Sequence, residues 1–158
     1  MSAFFIVIIL VGALFAMSYI AKRRFGVLGL ALAAGSVLNT AWSASLTPWV
    51  ESQGLTITAP PLGTLVSMLL ILGPAILLLF GGPTAASSVQ RIIGSLAFAI
   101  LALVFLMQPL GVALIFDATS AALYATINQS SDAIIAVGIV LALGDLLMTR
   151  TPHRPSRK

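Results

Sequence analysis

Four carboxylates, one histidine and no cysteine make up the acid, base and thiol inventory of this 158-residue chain. The carboxylates are Glu51, Asp117, Asp132 and Asp145, and only Asp145 sits inside an apolar run. A proton-sharing pair of aspartates needs two carboxylates in one site, so Asp145 without an acidic neighbour argues against an intramembrane aspartyl protease. The single histidine, His153, lies in the C-terminal tail between Pro152 and Arg154. No serine is placed to be activated by it, which argues against a Ser-His hydrolase. No His, Asp or Glu cluster has metal-ligand spacing. Gly81-Gly82-Pro83 lacks the lysine and the preceding strand of a phosphate-binding loop. The absence of cysteine excludes disulfides, thiolate chemistry and Cys metal sites. The expectation is a non-enzymatic protein with no catalytic residues, metal or cofactor.

Four polar or irregular features remain as candidates for transport or for helix packing. Asp145 is the acid within a span, and such groups tend to mark ion or proton pathways. Yet Arg150 follows five residues later, about 7.5 Å along a helix. That spacing favours a carboxylate snorkelling to the inner interface beside a basic partner. Asn39, with Ser36 and Thr40, and Gln108 have interhelical hydrogen bonding as their default role, worth about 0.6 kcal/mol each, with a pore lining as the alternative. Gly73-Pro74 predicts a kink near 70–74, because proline removes a helical donor and clashes with the preceding turn. A gating hinge is its functional alternative.

The elements that must carry these residues are membrane helices. The chain is 59% hydrophobic and 8% charged, with a mean hydropathy of +1.13; a soluble domain covers its surface with about a quarter charged residues. Continuous rather than alternating apolar runs disfavour a transmembrane barrel. We read an all-α, polytopic bundle of about five transmembrane helices, forming one domain over 1–149. The spans are 3–21, 25–44, 64–80, 92–116 and 132–148. An external loop at 45–63 contains Pro48, Pro60 and Pro61, with Trp42 and Trp49 as interfacial anchors and 55–58 as an extended stretch. An outer amphipathic segment covers 118–129, and a basic tail covers 150–158. The few residues between the first two spans predict a tight antiparallel hairpin. Small residues at four-residue spacing, Gly29 with Ala33 and Ala31 with Gly35, are placed to let helix backbones approach closely.

Charge sets the orientation. Lys22, Arg23, Arg24, Arg91, Arg150, Arg154, Arg157 and Lys158 all fall on one side of such a bundle, while Glu51, Asp117 and Asp132 fall on the other. By the positive-inside rule the N-terminus is outside and the C-terminus inside. The net charge of +4 therefore points to anionic lipid headgroups, worth about 1 kcal/mol per basic side chain near the surface, and not to nucleic acid. The expected location is the bacterial cytoplasmic membrane, as a multi-pass protein.

The order of parts resembles the CvpA family, the bacterial inner-membrane colicin V production proteins. Arg24-Phe25-Gly26 occupies the position of that family's first basic turn, and Arg91-Ile92-Ile93-Gly94 that of its internal Arg-x-x-Gly turn into the fourth span. The likeness covers about residues 1–130; the fifth span and basic tail are additional. It implies a non-enzymatic membrane protein linked to envelope homeostasis or export, with no substrate site to carry over.

The expected function is a structural, accessory or partner-binding role, exercised with a membrane-protein partner or as a homo-oligomer. The alternative is an oligomeric channel or transporter subunit using Asp145 and the Gly73-Pro74 kink, with Asn39 and Gln108 on its path.

Overall fold

A computed structural model describes residues 3–55, 57, 60–81, 87–113 and 118–148. Every element in it is a helix: α1 Ala3–Ala21, α2 Phe25–Ser52, α3 Leu62–Gly81, α4 Ser88–Ala113 and α5 Ala118–Leu147. Four of the five (α2, α3, α4, and α5 from Tyr124 to Leu147) are long and apolar enough to cross a membrane, and α1 is a shorter apolar helix. Gly82–Pro83, Asp117, Arg150 and the rest of the basic tail, including His153, lie outside the described residues, as do Thr56 and Thr58 of the stretch expected to be extended.

Helix α4 is the centre. It is the most buried of the long helices, and Phe98, Ala99, Leu101, Ala102 and Leu106 are closed off from solvent against Leu28 and Leu32 of α2. Helix α2 packs chiefly on α3 and α5, while α1 packs on α4 and only marginally on α3. The expected α1–α2 hairpin is therefore not what forms. Lys22 adopts a left-handed backbone (φ 55°) at the end of α1, turning the chain so that α1 lies against α4 instead of its sequence neighbour.

Two helices are longer than the sequence suggests. Helix α2 does not end at Ala44 but continues through Pro48 to Ser52, taking over the first part of the expected 45–63 loop. Its hydroxyls turn onto their own helix: Thr40 donates to the Ser36 carbonyl, Thr47 to Ser43 and Ser52 to Trp49. Polar residues that satisfy themselves in this way do not break a helix. The true stop is Gly54, at φ 85°, whose N–H bonds the Glu51 carbonyl at 3.0 Å; a left-handed glycine after the last turn is a common helix end. Likewise 118–129 and 132–148 are one helix, α5, of 30 residues. No glycine or proline separates them, and Ser131 donates to the Asn128 carbonyl within the continuous turn. Helix α4 starts at Ser88, ahead of Arg91. Ser87 is its cap: its hydroxyl accepts from the Gln90 N–H at 3.2 Å, the Ser-x-x-Gln signature of a helix start.

One glycine sets how closely α2 and α3 cross. A Cβ on Gly35 would run into the backbone of Ile71, its carbonyl first. The Ala31–Gly35 pair thus lies at a backbone-to-backbone contact, where packing replaces the hydrophobic drive that lipid does not supply. Ile71 lies three residues before Pro74, which sits inside α3.

Candidate functional site

Two polar regions flank the apolar core layer, at its opposite ends. The first is at the end where α1, α3 and α5 finish and α2 and α4 begin. Gly26 is the second residue of α2, so its N–H has no partner within the helix. Asp145 of α5 supplies one, accepting from Gly26 N at 2.9 Å through Oδ2 while Oδ1 accepts from Gln90 Nε2 of α4 at 3.0 Å. One carboxylate therefore joins three helices. It also places a negative charge at a helix N-terminus, where the aligned peptide dipoles favour it. The approach requires glycine: a Cβ at position 26 would meet the Ala142 carbonyl at 2.6 Å and Asp145 Oδ2 at 3.0 Å.

Arg23 does the converse for α3. Its Nε and Nη2 donate to the carbonyls of Leu79 (2.8 Å) and Phe80 (2.7 Å), the last turn of a helix that has no basic residue of its own there. A cation at a helix C-terminus satisfies orphan carbonyls and complements the dipole. Arg91 is held over the Tyr19 ring, 4.1 Å from its centroid, and donates to the Tyr19 hydroxyl at 2.5 Å. Tyr19 in turn stacks on Phe15, tying α4 to α1. Three of the charged residues singled out by the sequence thus act as joints between helices.

The second region is a cavity of about 210 Å³ between α2, α4 and α5. It is lined by Ser36, Asn39 and Thr40, by Gln108, and by Asn128, Ser131 and Asp132, with Ile71, Phe105 and Ile135 among its apolar walls. Asn39 lies thirteen residues beyond Gly26, and Asp132 thirteen residues before Asp145, so each is about 20 Å along its helix from the first region. Between the two regions lie Leu28, Leu32, Phe98, Leu101 and Ala142, all buried and in one cluster.

The candidates from the sequence therefore separate. Asn39 and Gln108 come together in the cavity, with Ser36 and Thr40 beside them. Asp145 belongs to the other region. The partner it has among the described residues is a backbone N–H and an amide; Arg150 lies outside them. Gly73 and Pro74 line neither region, and a Cβ on Gly73 would meet nothing within 4 Å. Asp132, read from the sequence as marking the outer end of a span, lies in the middle of the continuous helix α5, its side chain exposed, and lines the cavity. The missed signal was the uninterrupted helical run from 118 onward. Among the described residues, no group of three or more His, Cys, Asp or Glu side chains is gathered to hold a metal ion.

No protein-family model matches this chain, and neither does any curated protein or solved structure.

Proposed function

We propose that this chain is an integral protein of the bacterial cytoplasmic membrane with five spans, N-terminus outside and basic tail in the cytosol, and that it has a non-enzymatic structural, accessory or partner-binding role. The observation that carries this reading is how the polar groups at the α2–α4–α5 end are engaged. Asp145, Gln90, Arg23 and Arg91 all hold helices to one another, and a group committed to a helix joint is not free to relay protons or turn over a substrate. Lys22, Arg23, Arg24 and Arg91 gather at that end, which supports placing it in the cytosol beside anionic headgroups. The outer surface supports the membrane assignment: Ile20, Leu69, Leu77, Phe80 and Leu147 are each more than 70% exposed, a pattern that water penalises and lipid does not. Helix α5 supports a partner, since its apolar part is almost wholly left uncovered by its own chain. The resemblance to the CvpA family agrees with this role in envelope homeostasis or export.

The test is cross-linking in native membranes from single cysteines along α5, at Val137, Val140 and Leu141, all exposed. Adducts with a defined protein or with a second copy are expected; absence of any adduct from all three positions overturns the partner-binding role. Reporter fusions after Arg91 test the topology, with a cytosolic signal expected.

The cavity favours a second reading, an oligomeric channel or transporter subunit, with Asn39 and Gln108 on its path rather than Asp145. The Leu28–Phe98–Leu101 layer closes a single chain, so such a path runs between copies. Solute flux in liposomes that responds to Asn39→Leu supports this reading, and no flux under any gradient removes it.

A further inference from the structure

The cavity has a chemical polarity of its own. Ser36 donates its hydroxyl proton to the Ala33 carbonyl at 2.8 Å, Thr40 to Ser36 at 3.0 Å and Ser131 to Asn128 at 2.7 Å. A hydroxyl has one proton and two lone pairs, so each of these side chains has only acceptor capacity left. Asn39 Oδ1 is buried with no hydrogen-bond partner, which leaves a further acceptor unpaired. Asp132 adds a carboxylate, and no lysine or arginine lines the cavity. The lining thus carries one negative charge and a surplus of acceptors, with side-chain amides as its only remaining donors. Asp132 is exposed on the chain's own surface. On the membrane-spanning reading proposed above, on which this inference rests, it lies about 20 Å from the α2–α4–α5 network in a hydrocarbon core about 30 Å thick, where an ionised carboxylate calls for an opposite charge.

From this geometry we infer that the cavity is a binding site for a small monovalent organic cation with several N–H donors, an ammonium or a primary amine. The positive charge faces the Asp132 carboxylate. The N–H groups satisfy Asn39 Oδ1 and the hydroxyl lone pairs of Ser36, Thr40 and Ser131. A cation of the same charge without N–H groups leaves those acceptors unpaired, and a site built for hydrogen bonds discriminates strongly against such an analogue. This inference does not depend on which partner, if any, covers α5.

The experiment uses the full chain in nanodiscs of phosphatidylcholine, with calorimetric titration of methylammonium chloride compared with tetramethylammonium chloride and sodium chloride at equal ionic strength. Methylammonium has two heavy atoms, and the ceiling on binding energy per atom places its affinity on the order of millimolar. Saturable one-to-one binding of methylammonium is expected, with none for the other two cations. Asp132→Asn is expected to weaken it at least tenfold, whereas Glu51→Gln, outside the cavity, leaves it unchanged. Equal responses to all three salts, saturable sodium binding without a methylammonium response, or no saturable binding at all overturns the inference. So does full affinity in a folded Asp132→Asn protein. Should that variant not fold, the comparison of cations on the unmodified chain still decides.

Discussion

The α2–α4–α5 network and the cavity contain similar groups in opposite states. Each has an aspartate from α5 and a side-chain amide from α4, Asp145 with Gln90 and Asp132 with Gln108. In the network the carboxylate meets a helix N-terminus and an amide N–H, both within 3.0 Å, and glycine at position 26 lets the backbones close around it. In the cavity Asp132 and Gln108 are exposed, an acceptor on Asn39 is orphaned, and the space is about 210 Å³. Polar groups buried among apolar helices stabilise a fold only when each finds its partner. The first region reads as a joint. The second is a place where stability has been given up.

The sharpest way to break that contrast is Asp145→Ala. It leaves the Gly26 N–H and the Gln90 amide without their acceptor and removes a charge from a helix N-terminus. Lost hydrogen bonds to an ionised group and a lost cap together predict destabilisation of about 3 kcal/mol. Asp145→Asn keeps an acceptor oxygen and is expected to cost about half as much. Thermal unfolding of both variants in the same detergent measures this. An alanine variant as stable as the parent would show that the carboxylate is not a joint.

How much of this contrast could be read from the sequence depends on range. Apolar runs, basic clusters and the α1, α3 and α4 segments are local signals, so the helical bundle with its long apolar helices was legible. The Ser87-x-x-Gln90 start was also local and readable; so was the Gly54 stop, yet the prolines and serines around Pro48 outweighed it, because a sequence does not show that Thr47 will bond back to Ser43. The joints are different. Neither α2 nor α3 has a complementary charge in its own terminal turn; Asp145 is supplied from 119 residues away and Arg23 from 56. Asp145 and Asn39 stood out as polar residues among apolar ones, but nothing in their spacing indicates that one is satisfied and the other is not. The continuity of α5 through Gln129–Ser131, where neither glycine nor proline interrupts the run, was local too, and the low hydropathy of 118–129 hid it.

Arg23→Met probes the same region at a smaller amplitude. Methionine keeps the apolar stem and removes both donors to the Leu79 and Phe80 carbonyls. Arg23 is only partly buried, so water can replace one or both bonds, and a loss of about 1 kcal/mol is expected. The loss should fall on α3, which is best seen as faster amide exchange over Leu77–Phe80 than over the centre of α4. Uniform acceleration across all helices would mean that Arg23 supports the whole bundle and not the end of α3.

Asn39→Leu is the smallest change, and its sign is the informative part. In the network, removing a polar group strands its partners; in the cavity, Asn39 Oδ1 has none to strand. Replacing an unpaired buried acceptor by an apolar group of similar size removes a desolvation penalty and fills part of a void. The variant is therefore expected to be as stable as the parent or more stable, by up to about 1 kcal/mol, in the absence of any added cation. Methylammonium should then stabilise the parent more than the variant, so their unfolding midpoints converge as its concentration rises. Destabilisation by Asn39→Leu in cation-free buffer would mean that the amide is already satisfied within the fold, and the cavity would join the network as a second structural joint.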